Sequence, residues 1–255
     1  MNRKIKFAIL GFGHIGIRHA EMITQNKDSE LVAICDILPK NELKQYGFGD
    51  VPFFKNIDKL INSDIEFDVV CVCTPNGLHA QQSIQLLNNG FHVVCEKPMA
   101  LTSKEWEAVI STSEEVSKHV FCVMQNRYSP PSQWLKKIIT ENILGDIYLI
   151  QVNCFWNRDK RYYQNSTWRG SKDLDGGTLF TQFSHFIDTI YWIFGDITIN
   201  SAEFRDFNHK NLTSFEDTGI VNFNLKKGGL GTLNYSTSVW NENLESSITI
   251  IAENG

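Results

Sequence analysis

A short glycine-rich turn constrains this chain more than any other feature. Gly11-Phe12-Gly13-His14-Ile15-Gly16 follows an apolar run at residues 6–10 and opens a stretch of helical periodicity at 15–25. In such a strand-turn-helix the first glycine permits the tight turn and the second lets backbone approach a pyrophosphate, while the third lets helix and strand pack closely. The helix N-terminus then offers unpaired N–H groups and the positive end of its dipole to an anion. Asp36 closes the second apolar run twenty residues after Gly16, where a carboxylate accepts hydrogen bonds from ribose hydroxyls. Taken singly, the glycines describe a plain loop and Asp36 a solvated aspartate. In register they describe a dinucleotide-binding unit. Asp36 would meet the 2′-phosphate of NADP as one anion meeting another, and Ile37-Leu38 supplies no arginine for it, so the expected cofactor is NAD.

The first half of the chain alternates short apolar runs with helical stretches, the pattern of a parallel sheet built from strand-helix-strand units. Strands are expected at 6–10, 30–35, 69–73, 92–95 and 119–124, and helices at 15–25, 56–62, 78–89 and 104–117, the last with Thr102 or Ser103 as N-cap. The strand runs are continuous rather than alternating, as for strands covered on both faces. After residue 124 the texture changes: Pro130-Pro131 opens a helix toward 139, and longer strands follow at 145–156, 197–207, 219–225, 229–235 and 247–252. Lys226-Lys227-Gly228-Gly229 reads as a hairpin turn, and one helix, 181–194, interrupts the strands. The expected architecture is an α/β Rossmann domain with a doubly wound parallel sheet over 1–124. An α+β domain with a mainly antiparallel open sheet follows over 125–255. The final run ends at Asn254-Gly255, a hairpin signal without a return strand. The fold is therefore expected to be incomplete and to expose an edge or an apolar patch.

Composition removes several function classes. A hydrophobic fraction of 42% and a charged fraction of 21% suit a soluble globular protein of 255 residues. No apolar run approaches the roughly 20 residues that span a bilayer, and the N-terminus runs directly into the first strand without a signal peptide, so a cytoplasmic location and no membrane role are expected. The net charge of −5 gives no basic footprint for nucleic acid. Five of the six cysteines sit in strand-like runs as small hydrophobes, and no pair stands at zinc-ligand spacing; no metal is expected.

Three further clusters carry polar chemistry. Thr74-Pro75-Asn76 ends the third strand and leads to His79, at the rim where a doubly wound sheet holds its ligand; an ordinary proline turn capped by Asn76, with His79 an exposed first-turn histidine, fits as well. Glu96-Lys97-Pro98 follows the fourth strand at the same rim, and Pro98 stiffens the turn that carries Lys97 and makes a cis peptide conceivable. In the second half, Trp168-Arg169-Gly170 and Asp175-Gly176-Gly177 precede a helix on which Gln182, His185 and Asp188 share a face, with Phe183, Phe186, Ile187, Ile190 and Tyr191 as packing surface. A core histidine held by Asp188 is the plain alternative. Tyr162, Tyr163 and Trp168 read as core aromatics or, beside Arg169, as a sugar or nucleotide site.

Together, the glycine turn, Thr74-Pro75-Asn76, Glu96-Lys97-Pro98 and the helix histidine resemble the Gfo/Idh/MocA oxidoreductase family, over essentially the whole chain. The resemblance implies NAD held by Gly11, Phe12, Gly13, His14, Ile15, Gly16, Asp36, Thr74, Pro75, Asn76, His79, Glu96, Lys97 and Gln125. It makes Lys97 and His185 the catalytic pair, brought to one hydroxyl by an interdomain cleft. Asn126, Arg127, Tyr163, Trp168, Arg169, Gln182 and His185 become the substrate residues. A homo-oligomer joined through the C-terminal sheet is also implied. Within the family, Gln125-Asn126-Arg127-Tyr128, the run Trp156-Asn157-Arg158-Asp159 through Tyr162-Tyr163, and Trp168-Arg169-Gly170 resemble the branch that oxidises carbon 3 of UDP-linked N-acetyl amino sugar uronates in surface polysaccharide synthesis. Rival readings are a dehydrogenase of inositol or free sugars, an enzyme of glycosidic bonds acting through transient oxidation, and an NAD-responsive regulator. The chain departs from the family at Thr181, where many members carry an Asp four residues before the histidine; Gln182 or Asp188 is left to orient His185.

Overall fold

The computed structural model describes residues 3–38 and 46–255. Met1 and Asn2, the first residues of the N-terminus read above, lie outside them. The chain divides into two units, 1–123 and 124–255.

In the first unit the unbroken apolar runs become strands, because a strand covered on both faces has no water-facing side to mark. β1 (Ile5–Leu10), β2 (Ser29–Cys35), β3 (Phe53–Phe54), β4 (Val69–Val72), β5 (His92–Cys95) and β6 (Val120–Cys122) form a parallel sheet in the order β3-β2-β1-β4-β5-β6. Alternate residues feed two cores. Ala8, Leu10, Val70 and Val72 pack with Leu86 and Leu87 on one side, while Ile9, Ile34 and Cys71 pack with Ala20 and Ile23 on the other. Among the described residues of this unit the helices are α1 (His14–Gln25), α2 (Ile57–Ile61), α3 (His79–Asn88) and α4 (Ser103–Glu115). Thr102, not Ser103, caps α4: its hydroxyl accepts from the Glu105 amide at 3.2 Å while the Glu105 carboxylate accepts from the Thr102 amide at 3.0 Å. Edge strand β3 escapes the sequence reading because two residues carry no period; the pairing of Phe53 and Phe54 with Ile34 and Cys35 creates it.

The second unit comprises α5 (Pro130–Thr140), β7 (Ile147–Phe155), α6 (Lys160–Tyr163), α7 (Thr178–Thr181), α8 (Ser184–Phe194), β8 (Ile197–Arg205), β9 (Thr218–Leu225), β10 (Leu230–Ser236) and β11 (Glu245–Ala252). Its five-stranded sheet runs β11-β7-β10-β9-β8, antiparallel except where β7 meets β10. Val221, Phe223, Leu225, Leu233 and Tyr235 point to a core closed by Phe183, Ile190, Ile193 and Phe194. On the outer face, exposed Ile220 and Leu230 are interleaved with amide pairs, Asn234 donating to Asn153 and Asn200 to Asn224. The expected turn at Gly228-Gly229 joins β9 to β10, both glycines at positive φ. β11 is bonded to β7 alone among the described strands.

The helix expected over 181–194 is two helices. It breaks at Gln182 and Phe183, where the Phe183 amide reaches back five residues to the Thr178 carbonyl, a π-type step of the kind found at functional sites. Packing drives the break: fully buried Phe183 lies 5.1 Å from the rings of both Trp156 and Tyr235. Ile187 and Tyr191, expected to pack, lie on the outer side of α8, 38% and 58% exposed.

The turn after β1 depends on absent side chains. Gly11 has φ +91°, and a Cβ there would stand 2.7 Å from the Cys73 backbone; one on Gly16 would stand 2.1 Å from the Gly11 carbonyl oxygen. A helix start cannot retreat without breaking β1–α1 packing. Gly16→Ala is therefore expected to lower the stability of the first unit by about 1–3 kcal/mol, the usual cost of overpacking, in urea unfolding; a midpoint unchanged at constant slope would refute the close approach.

Candidate active site

The rim of the first unit assembles three turns. The Gly11 amide donates to the Cys35 carbonyl at 2.8 Å, closing the glycine turn against β2. Asp36 completes the closure, with Oδ2 accepting from the Phe12 amide at 2.5 Å and Oδ1 from the Leu38 amide at 2.8 Å. Phe12 itself is 2% exposed, its ring edge-on to Phe48, so backbone, not side chain, is what this residue presents. Gly13, His14 and Ile15 are exposed. Around Gly13 nothing stands within 4 Å of where a Cβ would be. No acidic residue occupies the first turn of α1 and no side chain caps it, which leaves its N–H groups facing outward toward an anion. These residues fit the diphosphate and ribose of a dinucleotide.

His79 departs from the expected cofactor contact and from the exposed-histidine alternative alike. It is 1% exposed, with Nδ1 2.7 Å from the Pro98 carbonyl and Nε2 2.7 Å from the Thr74 carbonyl. Burial pushes its pKa down, more than the two carbonyls and Glu96 pull it up, and Lys97 adds to the fall. Its ring braces the Thr74 and Pro98 turns from behind. The Thr74 hydroxyl donates to Gln82 at 2.5 Å, and Asn76, 6% exposed, opens a short 3-10 turn (Asn76–Leu78) leading into α3. Glu96 is 6% exposed, and its Oε1 lies 2.8 Å from Nε2 of His19, an α1 residue that the sequence reading did not single out. Lys97 is half-buried and its bond to Pro98 is cis. Cysteines stand at or just past the strand ends before Asp36, Thr74 and Glu96, yet none is a nucleophile: burial holds Cys35 up at about 12, and Cys73 and Cys95 well above their ordinary value.

In the second unit His185 is 7% exposed on α8, with Nε2 3.1 Å from Nε2 of Gln125 in a 3-10 turn (Gln125–Tyr128). Neither expected substitute orients it. Asp188 takes a forked pair of bonds from Arg127, 2.8 Å from Nε and 2.5 Å from an Nη, and this occupies the arginine expected to hold substrate. Gln182 has left the helix face: its Oε1 accepts from Arg158 Nε and its Nε2 donates to the Tyr162 hydroxyl, both at 2.8 Å. Thr181 donates to the Asp175 carboxylate, and Asp175, 1% exposed, also accepts from the Gly170 amide at 2.7 Å. That carboxylate locks the Trp168-Arg169-Gly170 loop to α7.

The locked loop brings Arg169 over the Tyr162 ring at 4.2 Å and beside Trp168 at 5.5 Å. Arg158 lies 4.9 Å from the Trp156 ring centroid and 5.3 Å from that of Tyr162. Guanidinium groups stack on aromatic faces in this way because they are planar and weakly hydrated. Among the described residues neither arginine is in an ion pair with a carboxylate. Burial pulls Arg158 below its ordinary pKa, and Arg169 adds to the fall. Two half-buried cations around one ring make a place for an anion. Tyr163, expected among the substrate residues, is instead buried at 5%, packed on Tyr162 and His209. Arg158 was not among the substrate residues expected from the sequence, although its interleaving with Trp156 and Tyr162 repeats the aromatic-and-arginine signal that marked Arg169. Asn126 is half-buried beside Arg127. Among the described residues no three His, Cys, Asp or Glu side chains gather as a metal site, and no helix is long and apolar enough to cross a membrane.

Residues 5–124 match an oxidoreductase family with an NAD-binding Rossmann fold, and residues 132–255 match the companion C-terminal domain. The chain belongs to the Gfo/Idh/MocA oxidoreductase family. Among solved members, the WlbA dehydrogenase of Bordetella pertussis, in complex with NADH and UDP-GlcNAcA, is 33% identical with a TM-score of 0.94, over 99% of this chain and 72% of that one. Among curated members, glucose-6-phosphate 3-dehydrogenase of Bacillus subtilis is 31% identical over 85% of this chain. D-glucoside 3-dehydrogenase of Escherichia coli is 24% identical over 91%. The chain spans 61% and 67% of the lengths of these two relatives.

Proposed function

We propose that this protein is an NAD-dependent dehydrogenase that oxidises carbon 3 of a UDP-linked N-acetyl amino sugar, the uronate above all, for surface polysaccharide synthesis. The observation that carries the substrate class is the pair of arginines, Arg158 and Arg169, held against Tyr162 without a carboxylate partner. A neutral inositol or free aldose needs no such pair, whereas a diphosphate or a uronate carboxylate pairs with guanidinium groups through charge-assisted hydrogen bonds. Likeness to proteins whose complexes contain NADH and UDP-GlcNAcA supports the same choice.

Bound NAD supplies the two-electron oxidant. The chain supplies the remainder. Gly13 and the start of α1 hold the diphosphate, Asp36 holds the adenosine ribose, and the braced turns at Thr74 and Lys97 line the rim toward the reacting end. His185 takes the hydroxyl proton, an imidazole being the side chain suited to proton transfer at neutral pH. Lys97 donates a hydrogen bond to that oxygen and stabilises its developing negative charge. The outer face of the second sheet, apolar residues set among paired amides, serves as a contact between copies in a homo-oligomer, and the protein works in the cytoplasm.

NADH is expected to bind more tightly than NADPH in a fluorescence titration, because the Asp36 carboxylate repels a 2′-phosphate; the reverse order would overturn the assignment of Asp36. With UDP-N-acetylglucosaminuronate, an NADH absorbance assay is expected to show turnover that falls by roughly 100-fold or more in Lys97→Met and in His185→Asn, the scale of losing a positioned acid-base or electrostatic group. NADH affinity should stay near that of the unmodified protein. Near-normal turnover in both variants would sink the catalytic pair, and activity confined to inositol or free aldoses would remove the nucleotide sugar while leaving the chemistry. Arg158→Ala should raise KM for the UDP-sugar by about 10-fold or more, as for loss of a charge-assisted contact, with kcat less affected; an unchanged KM would take Arg158 out of the substrate site.

A further inference from the structure

The turn that presents Lys97 is held on both sides. Ahead of it, the Glu96 amide donates to the Val72 carbonyl at 3.0 Å, so the backbone keeps the register of the sheet up to residue 96. Behind it, the Pro98 carbonyl meets Nδ1 of His79 at 2.7 Å. The Glu96 side chain adds a third hold, from α1: Nε2 of His19 lies 2.8 Å from Oε1, the two side chains being 17% and 8% exposed. A carboxylate oxygen accepts, so the ring nitrogen donates. His19 shares a helix face with Gly16, three residues back, and with Ile23, four residues on, both of them buried. The close approach of α1 at Gly16 thus also sets how near His19 comes to the end of β5.

We infer that His19 is a positioning residue of the proposed reaction: by holding the Glu96 carboxylate from α1 it fixes the turn that presents Lys97 to the reacting oxygen. The same bond joins that turn to the helix whose first turn faces the cofactor diphosphate. A carboxylate withdrawn from water is stable only where a donor answers it. The charge of Glu96 is felt by its neighbours, for it adds to the burial that raises the thiols of Cys71, Cys73 and Cys95, and it draws His79 upward against burial. Without the His19 donor the carboxylate gains by turning toward water, and the residue carried with it is the next one, Lys97. His19 acts through that lysine and takes no proton itself. The inference rests on Lys97 being the electrostatic partner in the proposed reaction, while the hold of His19 on the turn does not.

His19→Gln and His19→Asn separate a donor that reaches the carboxylate from one that falls short of it, because the glutamine amide nitrogen stands where Nε2 does. Both keep a polar group at a partly exposed site and should fold, which thermal melts check. With the UDP-sugar, kcat is expected to fall by roughly 10-fold or more in His19→Asn, the scale of a catalytic group displaced by part of an ångström, and to be largely restored in His19→Gln. KM for the sugar and NADH affinity should stay near those of the unmodified protein. Glu96→Gln, which weakens the same bond from its other end, should fall between the two. In a Lys97→Met background His19→Asn should cost nothing further, since residues that act as a unit are not additive. A second, independent loss in that double variant, or a loss confined to NADH affinity, would overturn the inference. Hydrogen-deuterium exchange tests the hold without any substrate. Amides of residues 96–101 should exchange faster in His19→Asn but not in His19→Gln, with α2 unchanged in both. Unmoved exchange at 96–101 would refute the positioning even if the proposed reaction stands. Faster exchange there, with no turnover of any sugar by the unmodified protein, would fault the reaction and support the hold of His19 on the turn.

Discussion

The approach of α1 to the turn at Gly11 is the constraint on which the first unit depends. With 2.1 Å between the carbonyl oxygen of Gly11 and the place of a Gly16 Cβ, helix and turn share space that only hydrogen atoms can occupy. That contact brings the N-terminus of α1 to the carboxyl end of β1. Asp36 then reaches the Phe12 amide from β2, and the Thr74 and Pro98 turns, held by His79, extend the same rim from β4 and β5. Four strand ends contribute, and each turn is held by backbone atoms or by buried side chains. Exposed surface at the rim is thereby left for ligand.

Buried polar groups do the corresponding work in the second unit. Asp175 has almost no contact with water, and it is stable there because the Gly170 amide and the Thr181 hydroxyl satisfy it. Through those bonds it sets the loop that lays Arg169 on Tyr162. Gln182 bridges Arg158 and Tyr162, and Arg127 and Asp188 neutralise one another. Arginines on aromatic rings thus differ in their partners: Arg127, beside Trp192, is paired with Asp188, whereas Arg158 and Arg169, around Tyr162, are in no ion pair among the described residues. In the proposed reaction Arg158 and Arg169 meet the anionic substrate, and the carboxylate partner of Arg127 separates it from them.

The glycine turn, Asp36, the strand runs and the hairpin at Gly228-Gly229 were legible in the sequence because each follows from local backbone chemistry or from a period over a few residues. Family membership was legible for a related reason, since Glu96-Lys97-Pro98 and the spaced histidine are short strings with fixed meaning. Strand β3 was not, being two residues long and defined by its partner. The break at Gln182 and Phe183 was hidden too. A 3.6-residue period runs through it unaltered, and the competing demand, burial of Phe183 between Trp156 and Tyr235, comes from strands far along the chain.

Residue types and their order thus determined by themselves that the chain folds as a parallel α/β unit followed by a mainly antiparallel one, and that the first is built for a dinucleotide. What each polar side chain does was decided by tertiary structure. His79, Arg127 and Tyr163 read as contacts and are held by partners inside the fold, while Arg158 lies against Trp156 and Tyr162 and Gln125 meets the histidine. The physical reason is that a side chain's charge and hydrogen-bonding capacity are local properties, whereas whether they are spent inside the protein depends on partners 20 to 90 residues distant, Gln182 for Arg158 and Asn243 beyond it. Backbone conformation is written in neighbours; availability for chemistry is settled only when distant segments meet.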